Sequence, residues 1–483
     1  MKKSILLFAL SACAFCVFLT NCKNEQATVA EEVVEEEEVD KQYLYASNLY
    51  KENCVACHAA TVTKFIDRDW LHGNSWNEVN RSIRYGHTFM EKVGFVKTFP
   101  DSAFNKLTDY LLVRLEQETI ESFPTETDYS GIVKSENLNF TLDTIVKGLE
   151  IPWGIDFLPN GDLLVTDRNG NFYRQKEGAE KVLIKGTPKV HYEGQGGLLD
   201  VKVHPDFQNN QIIYLAYSKP NGGKKEASTA LMMAKLVNDE LVNQKIIMNA
   251  LPYTDKKYHF GSRIVFDNDG HLFISIGDRA NRDQNPQDLS KYPGKIHRFN
   301  ADGSIPKDNP FVDTEGAISS IWSYGHRNPQ GLFFDKETGV LWETEHAPRG
   351  GDEVNIIQKG LNYGWNEISY GINYNGTVFT NTTHKDGMEQ PVFYYMPSTG
   401  TCGLIKVTSD KYPAWKGDLL AGSLRFKYIS RLKMEGQQVV GEERVLENIG
   451  RLRDIKLGND GYIYFTVENP GLVFRIMPTQ EAI

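Results

Sequence analysis

A chain of 483 residues is longer than one ordinary domain, and 40% hydrophobic with 24% charged residues is the composition of a soluble globular protein with a sizeable core. The formal net charge of −10 owes much to one short acidic segment holding Glu31, Glu32, Glu35, Glu36, Glu37, Glu38 and Asp40. This balance excludes the basic footprint of a nucleic-acid-binding protein, so no nucleic-acid partner is expected.

Residues 1–21 read as a secretory signal: Lys2 and Lys3 precede an apolar run over 4–19. That run is shorter than the roughly 20 residues of a membrane-spanning helix. The segment Leu19-Thr20-Asn21-Cys22 resembles a bacterial lipobox, with Asn21 where a small residue is usual. The resemblance implies cleavage before Cys22 and lipidation of its thiol, hence an exported periplasmic or cell-envelope protein held at the membrane; plain secretion is the alternative. Loss of Cys13 and Cys16 with the signal leaves Cys22, Cys54, Cys57 and Cys402, which is no disulfide framework. Cys402 reads as a small apolar core residue. Residues 22–40, acidic and without aromatics, read as a solvated tether.

Residues 41–123 form the first expected globular unit, a small all-α cytochrome c domain. Helical spacing appears over 42–53 and 102–115, where Leu107, Tyr110, Leu111 and Leu115 share a face. Cys54-Val55-Ala56-Cys57-His58 is the c-type haem attachment motif: Cys54 and Cys57 supply the thioethers and His58 the proximal iron ligand. A redox-active thiol pair and half of a zinc site are the competing readings. Met90 is the expected distal ligand, in a segment that resembles the small cytochrome c family, and His87 is the alternative.

Residues 124–144 read as a linker, and 145–477 as an all-β unit of short apolar runs between Asn-Gly, Asp-Gly and Lys-Gly turns. Four runs share one form, a turn followed by apolar alternation: 160–166, 269–275, 338–344 and 460–466. Looser copies occupy 210–216 and 416–422. Six copies predict a six-bladed β-propeller, a sandwich or barrel being the alternative.

Within this unit lie 151–154 (Ile-Pro-Trp-Gly), 193–199 (Glu-Gly-Gln-Gly-Gly-Leu-Leu), 204–207 (His-Pro-Asp-Phe), 259–263 (His-Phe-Gly-Ser-Arg), 325–331 (Gly-His-Arg-Asn-Pro-Gln-Gly), 348–353 (Pro-Arg-Gly-Gly-Asp-Glu) and 362–365 (Asn-Tyr-Gly-Trp). In this order they resemble the soluble quinoprotein sugar dehydrogenases, the glucose/sorbosone and aldose sugar dehydrogenase family. The resemblance implies a dehydrogenase that oxidises an aldose or related polyol by hydride transfer to pyrroloquinoline quinone (PQQ). His259 is then the general base, a role a neutral imidazole suits. Arg327 stabilises the charge that develops at the quinone.

The family correspondence also places Gln195, Asn328, Tyr374, Ser423, Leu424, Arg425, Arg451 and Arg453 around PQQ, whose three carboxylates call for cations and amide donors. Arg425 stands where relatives often carry Lys. Calcium is implied at the backbone carbonyls of Ala347 and Pro348, with Ala347 replacing the usual Gly, and at a separate site using the Glu353 carboxylate and the Tyr363 carbonyl. Tyr258 replaces the acidic residue of the glucose-specific branch, so strict glucose specificity is not expected. Electrons would pass to the tethered haem c and on to a downstream cytochrome or respiratory acceptor. The rival classes are a calcium-dependent lactonase or other hydrolase propeller and a non-catalytic carbohydrate-binding propeller.

Overall fold

The structure, a computed structural model, describes residues 44–53, 80, 83, 100–121, 129–374, 378–468 and 470–479. The signal, Cys22 and the tether lie outside the described residues, as do the haem motif at Cys54, Cys57 and His58 and the candidate ligands Met90 and His87.

Among the described residues the N-terminal unit has the helices α1 (Leu44–Asn53) and α2 (Asp101–Glu121). Three members of the apolar face expected from the sequence, Leu107, Tyr110 and Leu111, are buried, and Tyr110 packs its ring 6.1 Å from that of Tyr50 on α1. Thr108, on the same side, accepts a 2.9 Å hydrogen bond from Asn80. Among the described residues no helix is long and apolar enough to cross a membrane.

The second unit is a six-bladed β-propeller of antiparallel sheets. The inner strands are Pro152–Phe157, Leu198–Val203, Ile264–Phe266, Pro329–Asp335, Thr401–Lys406 and Leu452–Leu457; each touches the next, and the last touches the first, closing the ring. The repeat seen in the sequence is the second strand of each blade: Leu163–Asp167, Ile212–Pro220, His271–Ile276, Val340–Glu345, Leu419–Ser423 and Ile463–Val467. These strands are covered on both faces, so nearly every residue is buried; a Gly turn precedes five of them, and Gln211, at φ 57°, takes that place before Ile212–Pro220.

The linker expected over 124–144 is corrected at its C-terminal end. Asn139–Val146 is the fourth strand of the last blade, pairing antiparallel with Leu472–Pro478 (Leu142 opposite Ile476, Thr144 opposite Phe474), and Val133–Lys134 adds a further edge. The two ends of the propeller are thereby sewn into one sheet, because a ring left open would expose a strand edge. Phe140 of this strand is fully buried, its ring 5.6 Å from that of Trp415 in the neighbouring blade. Phe140→Ala is expected to cost about 3–5 kcal/mol of stability, measured by denaturant unfolding of the purified chain; a loss below about 1 kcal/mol would show that the closing strand is dispensable.

The axis is plugged by charge. Arg263, 1% exposed, reaches Asp200 of the second blade at 3.1 Å and Asp454 of the sixth at 3.0 Å. It also donates to the carbonyl of Gln330 at 2.7 Å and stacks 4.1 Å over the Trp153 ring. One guanidinium thus ties together inner strands far apart in sequence.

Candidate active site

Three blade-to-blade connections meet around His259. The connection from the second to the third blade carries His259 itself, at φ 57°, in the left-handed region. The connection from the first blade supplies Gln195, whose side-chain oxygen accepts the His259 backbone N–H at 2.8 Å while its own N–H donates to the Lys257 carbonyl at 2.8 Å. Gly194 is required beside it: at φ +59° a Cβ would sit 2.6 Å from the Lys257 carbonyl oxygen.

His259 Nδ1 lies 2.6 Å from Oδ1 of Asp278, and the other carboxylate oxygen accepts the Trp365 indole N–H at 2.8 Å. With Nδ1 committed, Nε2 is the ring atom left for chemistry. Burial first, then the Arg327 charge, pushes the His259 imidazole below its ordinary pKa, with Asp278 opposing. Burial works to raise the Asp278 carboxyl, but His259, Arg327 and the Trp365 hydrogen bond outweigh it and leave it below the usual range. The pair therefore holds a neutral imidazole against an ionised carboxylate. Gly277 lets this turn approach: a Cβ there would meet the His259 carbonyl oxygen at 2.4 Å.

Arg327 and Asn328 enter from the third-to-fourth connection. Their backbone N–H groups donate to the buried Glu345 carboxylate at 2.6 and 3.3 Å. The Arg327 guanidinium donates to the His346 carbonyl at 2.8 Å and lies 5.5 Å over the Trp365 ring and 3.4 Å from the Tyr374 hydroxyl. Tyr374 is 69% exposed at the mouth. Asn328 accepts from the Gly261 N–H at 3.2 Å and from Gln330 at 3.3 Å.

Gln330 links this group to the second cluster of expected residues. Its side-chain oxygen accepts from Arg453 at 3.1 Å; Arg453 and Arg451 both bond Glu468, and Arg451 donates to the Leu424 carbonyl at 3.1 Å. Burial alone would raise Glu468, but the two arginines hold it down at about 2. Arg425 lies with its guanidinium 4.9 Å over Phe426. Ser423 is occupied within its turn, donating to the Thr399 carbonyl at 2.9 Å and accepting the Phe426 N–H at 3.0 Å. Arg451 and Arg453, which share the single carboxylate of Glu468, supply with Arg327 and Arg425 the guanidinium donors that suit a polycarboxylate cofactor.

The expected cation ligands lie behind Arg327. A cavity of about 10 Å³, room for a single ion or water, is lined by Glu345, Ala347, Glu353 and Tyr363 together with Arg327 and His346. Burial, then the neighbouring Glu345, pushes the Glu353 and Glu343 carboxyls well up. Glu343 Oε1 and Asn355 Oδ1 are buried without a hydrogen-bond partner among the described residues. An oxygen-rich, charge-frustrated pocket of this kind fits a hard cation. Ala347 keeps a negative φ, so its replacement of Gly costs the backbone nothing. Pro348, beside it, is buried.

Sequence reasoning missed Asp278, Glu468 and the axial role of Arg263. Asp278 follows the run 269–275 after Ile276 and Gly277, where an aspartate reads as turn chemistry. Cys402 is fully buried, as expected.

Residues 149–475 match the family described as Glucose / Sorbosone dehydrogenase. The chain is 40% identical over 345 residues to the aldose sugar dehydrogenase YliI of Escherichia coli, an alignment covering 70% of this chain and 92% of that protein. The crystal structure of the apo-form of the soluble aldose sugar dehydrogenase from Escherichia coli superposes with a TM-score of 0.68 at 37% identity, over 70% of this chain and 100% of that one. The PQQ-bound form of an aldose sugar dehydrogenase from Streptomyces coelicolor shares the fold, with a TM-score of 0.59 at 24% identity over 74% of this chain and 100% of that one. In sequence and in fold, the chain belongs to the glucose/sorbosone dehydrogenase family.

Proposed function

We propose that this protein is a PQQ-dependent dehydrogenase of aldoses or related polyols. The observation that carries the reading is the His259–Asp278 pair, an imidazole held neutral with one nitrogen fixed, beside the Arg327 guanidinium. Bound PQQ would supply the electrophilic hydride acceptor. His259 Nε2 takes the proton of the substrate hydroxyl, and Asp278 stabilises the imidazolium that results. Arg327 presents fixed N–H donors where negative charge grows. Gln195, Asn328, Tyr374, Arg425, Arg451 and Arg453, with the turn at Ser423 and Leu424, would hold the cofactor. The exposed Tyr258 beside the base offers an aromatic rim rather than a carboxylate, which favours a broad aldose range. Family membership favours this reading over the hydrolytic and non-catalytic alternatives.

The carbonyls of Ala347 and Pro348, and separately Glu353 with the Tyr363 carbonyl, are the proposed calcium ligands. Ligand binding to the native state stabilises it by mass action. Chelation is therefore expected to lower the melting temperature of the wild-type chain, and to lower that of Glu353→Gln less, since the variant keeps only the Ala347/Pro348 site; equal shifts in both would remove Glu353 from the ligand set.

The fusion extends the proposal. An export signal, lipidation at Cys22 and the acidic tether would hold the chain in the cell envelope, and a haem c at Cys54, Cys57, His58 and Met90 would be the electron acceptor, ahead of a downstream cytochrome or respiratory chain. Carrying both groups on one chain raises the acceptor's effective concentration. The test is a visible spectrum of the purified full chain, loaded with PQQ and calcium and mixed with a panel of aldoses. Sugar-dependent haem reduction is expected. A loaded chain whose haem stays oxidised with every sugar would contradict the electron route.

A further inference from the structure

The proposed base sits on an irregular segment: between Thr254 and Ile264 no helix or strand holds the chain. A catalytic geometry on a loop must be fixed by its surroundings. Asp278 fixes the ring of His259, and Gln195 holds its backbone N–H and the Lys257 carbonyl, but neither bonds the Lys256 or Tyr258 carbonyl. We propose that Arg279 is the positioning residue that does so, clamping the segment around His259 from beneath; this rests on the reading of His259 as the base.

The geometry is specific. Arg279 is 1% exposed. One guanidinium nitrogen donates to the Lys256 carbonyl at 2.6 Å and the other to the Tyr258 carbonyl, while the plane lies 3.5 Å from the ring centroid of Phe260. Backbone oxygens two residues apart and the ring after the base are thereby held by one rigid group. Phe260 is in turn anchored, its carbonyl accepting a 2.8 Å hydrogen bond from Thr229. The aim of Arg279 is set by an unusual turn: Arg279 and Ala280 both take positive φ, 55° and 54°, and the Ala280 N–H donates to Asp278 Oδ1 at 2.7 Å. Asp278 and Arg279, adjacent in sequence, thus grip His259 by its ring and by its flanks.

No carboxylate pairs with the Arg279 side chain among the described ion pairs, and its Nε has no hydrogen-bond partner among the described residues. A buried guanidinium satisfied mainly by carbonyls is a costly way to stabilise a fold, and a fixed loop is what it delivers. A lysine keeps the charge but offers no planar fork to span both carbonyls.

The test compares Arg279→Lys and Arg279→Gln in the full chain loaded with PQQ and calcium. Misplacement of a reacting group by about 1 Å can cost on the order of 100-fold in rate. Both variants are therefore expected to lose about 10- to 100-fold in kcat with little change in KM for the aldose. The charged groups facing the His259 ring are Arg327, Asp278 and Arg279. Removing the Arg279 charge favours the imidazolium, so the acid limb of kcat/KM should move to higher pH in Arg279→Gln and stay in place in Arg279→Lys. NMR titration of ring-labelled His259 follows the same shift without sugar or quinone. A wild-type chain that oxidises no aldose would defeat the functional reading, and the NMR titration would then judge the clamp alone. Wild-type kcat in both variants, or a His259 titration and tautomer unchanged in Arg279→Gln, would overturn the proposal.

Discussion

His259→Gln is expected to lower kcat for aldose oxidation by about 10²–10⁴-fold, the usual contribution of a positioned general base, with PQQ affinity little changed. Glutamine keeps a polar side chain of similar reach but cannot take a proton at neutral pH. In the wild type the base must be neutral to act. Burial and the Arg327 charge set its pKa below the ordinary histidine value of about 6.5. Activity should therefore persist below that pH and fall only as the pH drops through the lowered value. Rates across pH 4–8, roughly the window spanning that change, check both points; a variant that retains more than about a tenth of wild-type kcat would remove His259 from the proton transfer.

Asp278→Asn is expected to cost nearly as much, about 10²–10⁴-fold in kcat, by analogy with carboxylates that fix a catalytic imidazole's tautomer. The two losses have different pH signatures. Asp278 is the group that raises the His259 pKa, so removing its charge should carry the acid limb to still lower pH while the plateau falls. A plateau loss with the acid limb unmoved would mean that Asp278 acts on the fold rather than on the base. Trp365→Phe, which removes only the hydrogen bond to the second carboxylate oxygen, should be milder than either.

The architecture was legible because the most buried strands carry the clearest pattern. All six repeats fell on second strands, where both faces are covered and a tight turn precedes, with Gly in five of the six. The closing strand was not: Asn139–Val146 is half-buried over its five positions from Thr141 to Ile145 and pairs with residues more than 300 positions away. The site divided in the same way. His259, Gln195, Arg327 and Asn328 stand in motif strings and meet in space. Asp278, Glu468 and Arg279 owe their importance to partners brought close only by the ring, Glu468 lying across a strand pair from Arg453 and Arg279 under a loop that starts more than 20 residues earlier. Charge balance of this kind is a property of the assembled blades and leaves no local signature.

The proposed function requires PQQ to bind beside His259 and Arg327 so that a sugar can reduce it. Anaerobic titration of calcium-loaded apoprotein with the quinone, followed by an aldose, tests this most directly. Saturation at one quinone per chain and its stoichiometric bleaching by sugar, abolished by His259→Gln without loss of binding, is the predicted result. Absence of saturable binding, or bound quinone that no aldose reduces, would contradict it.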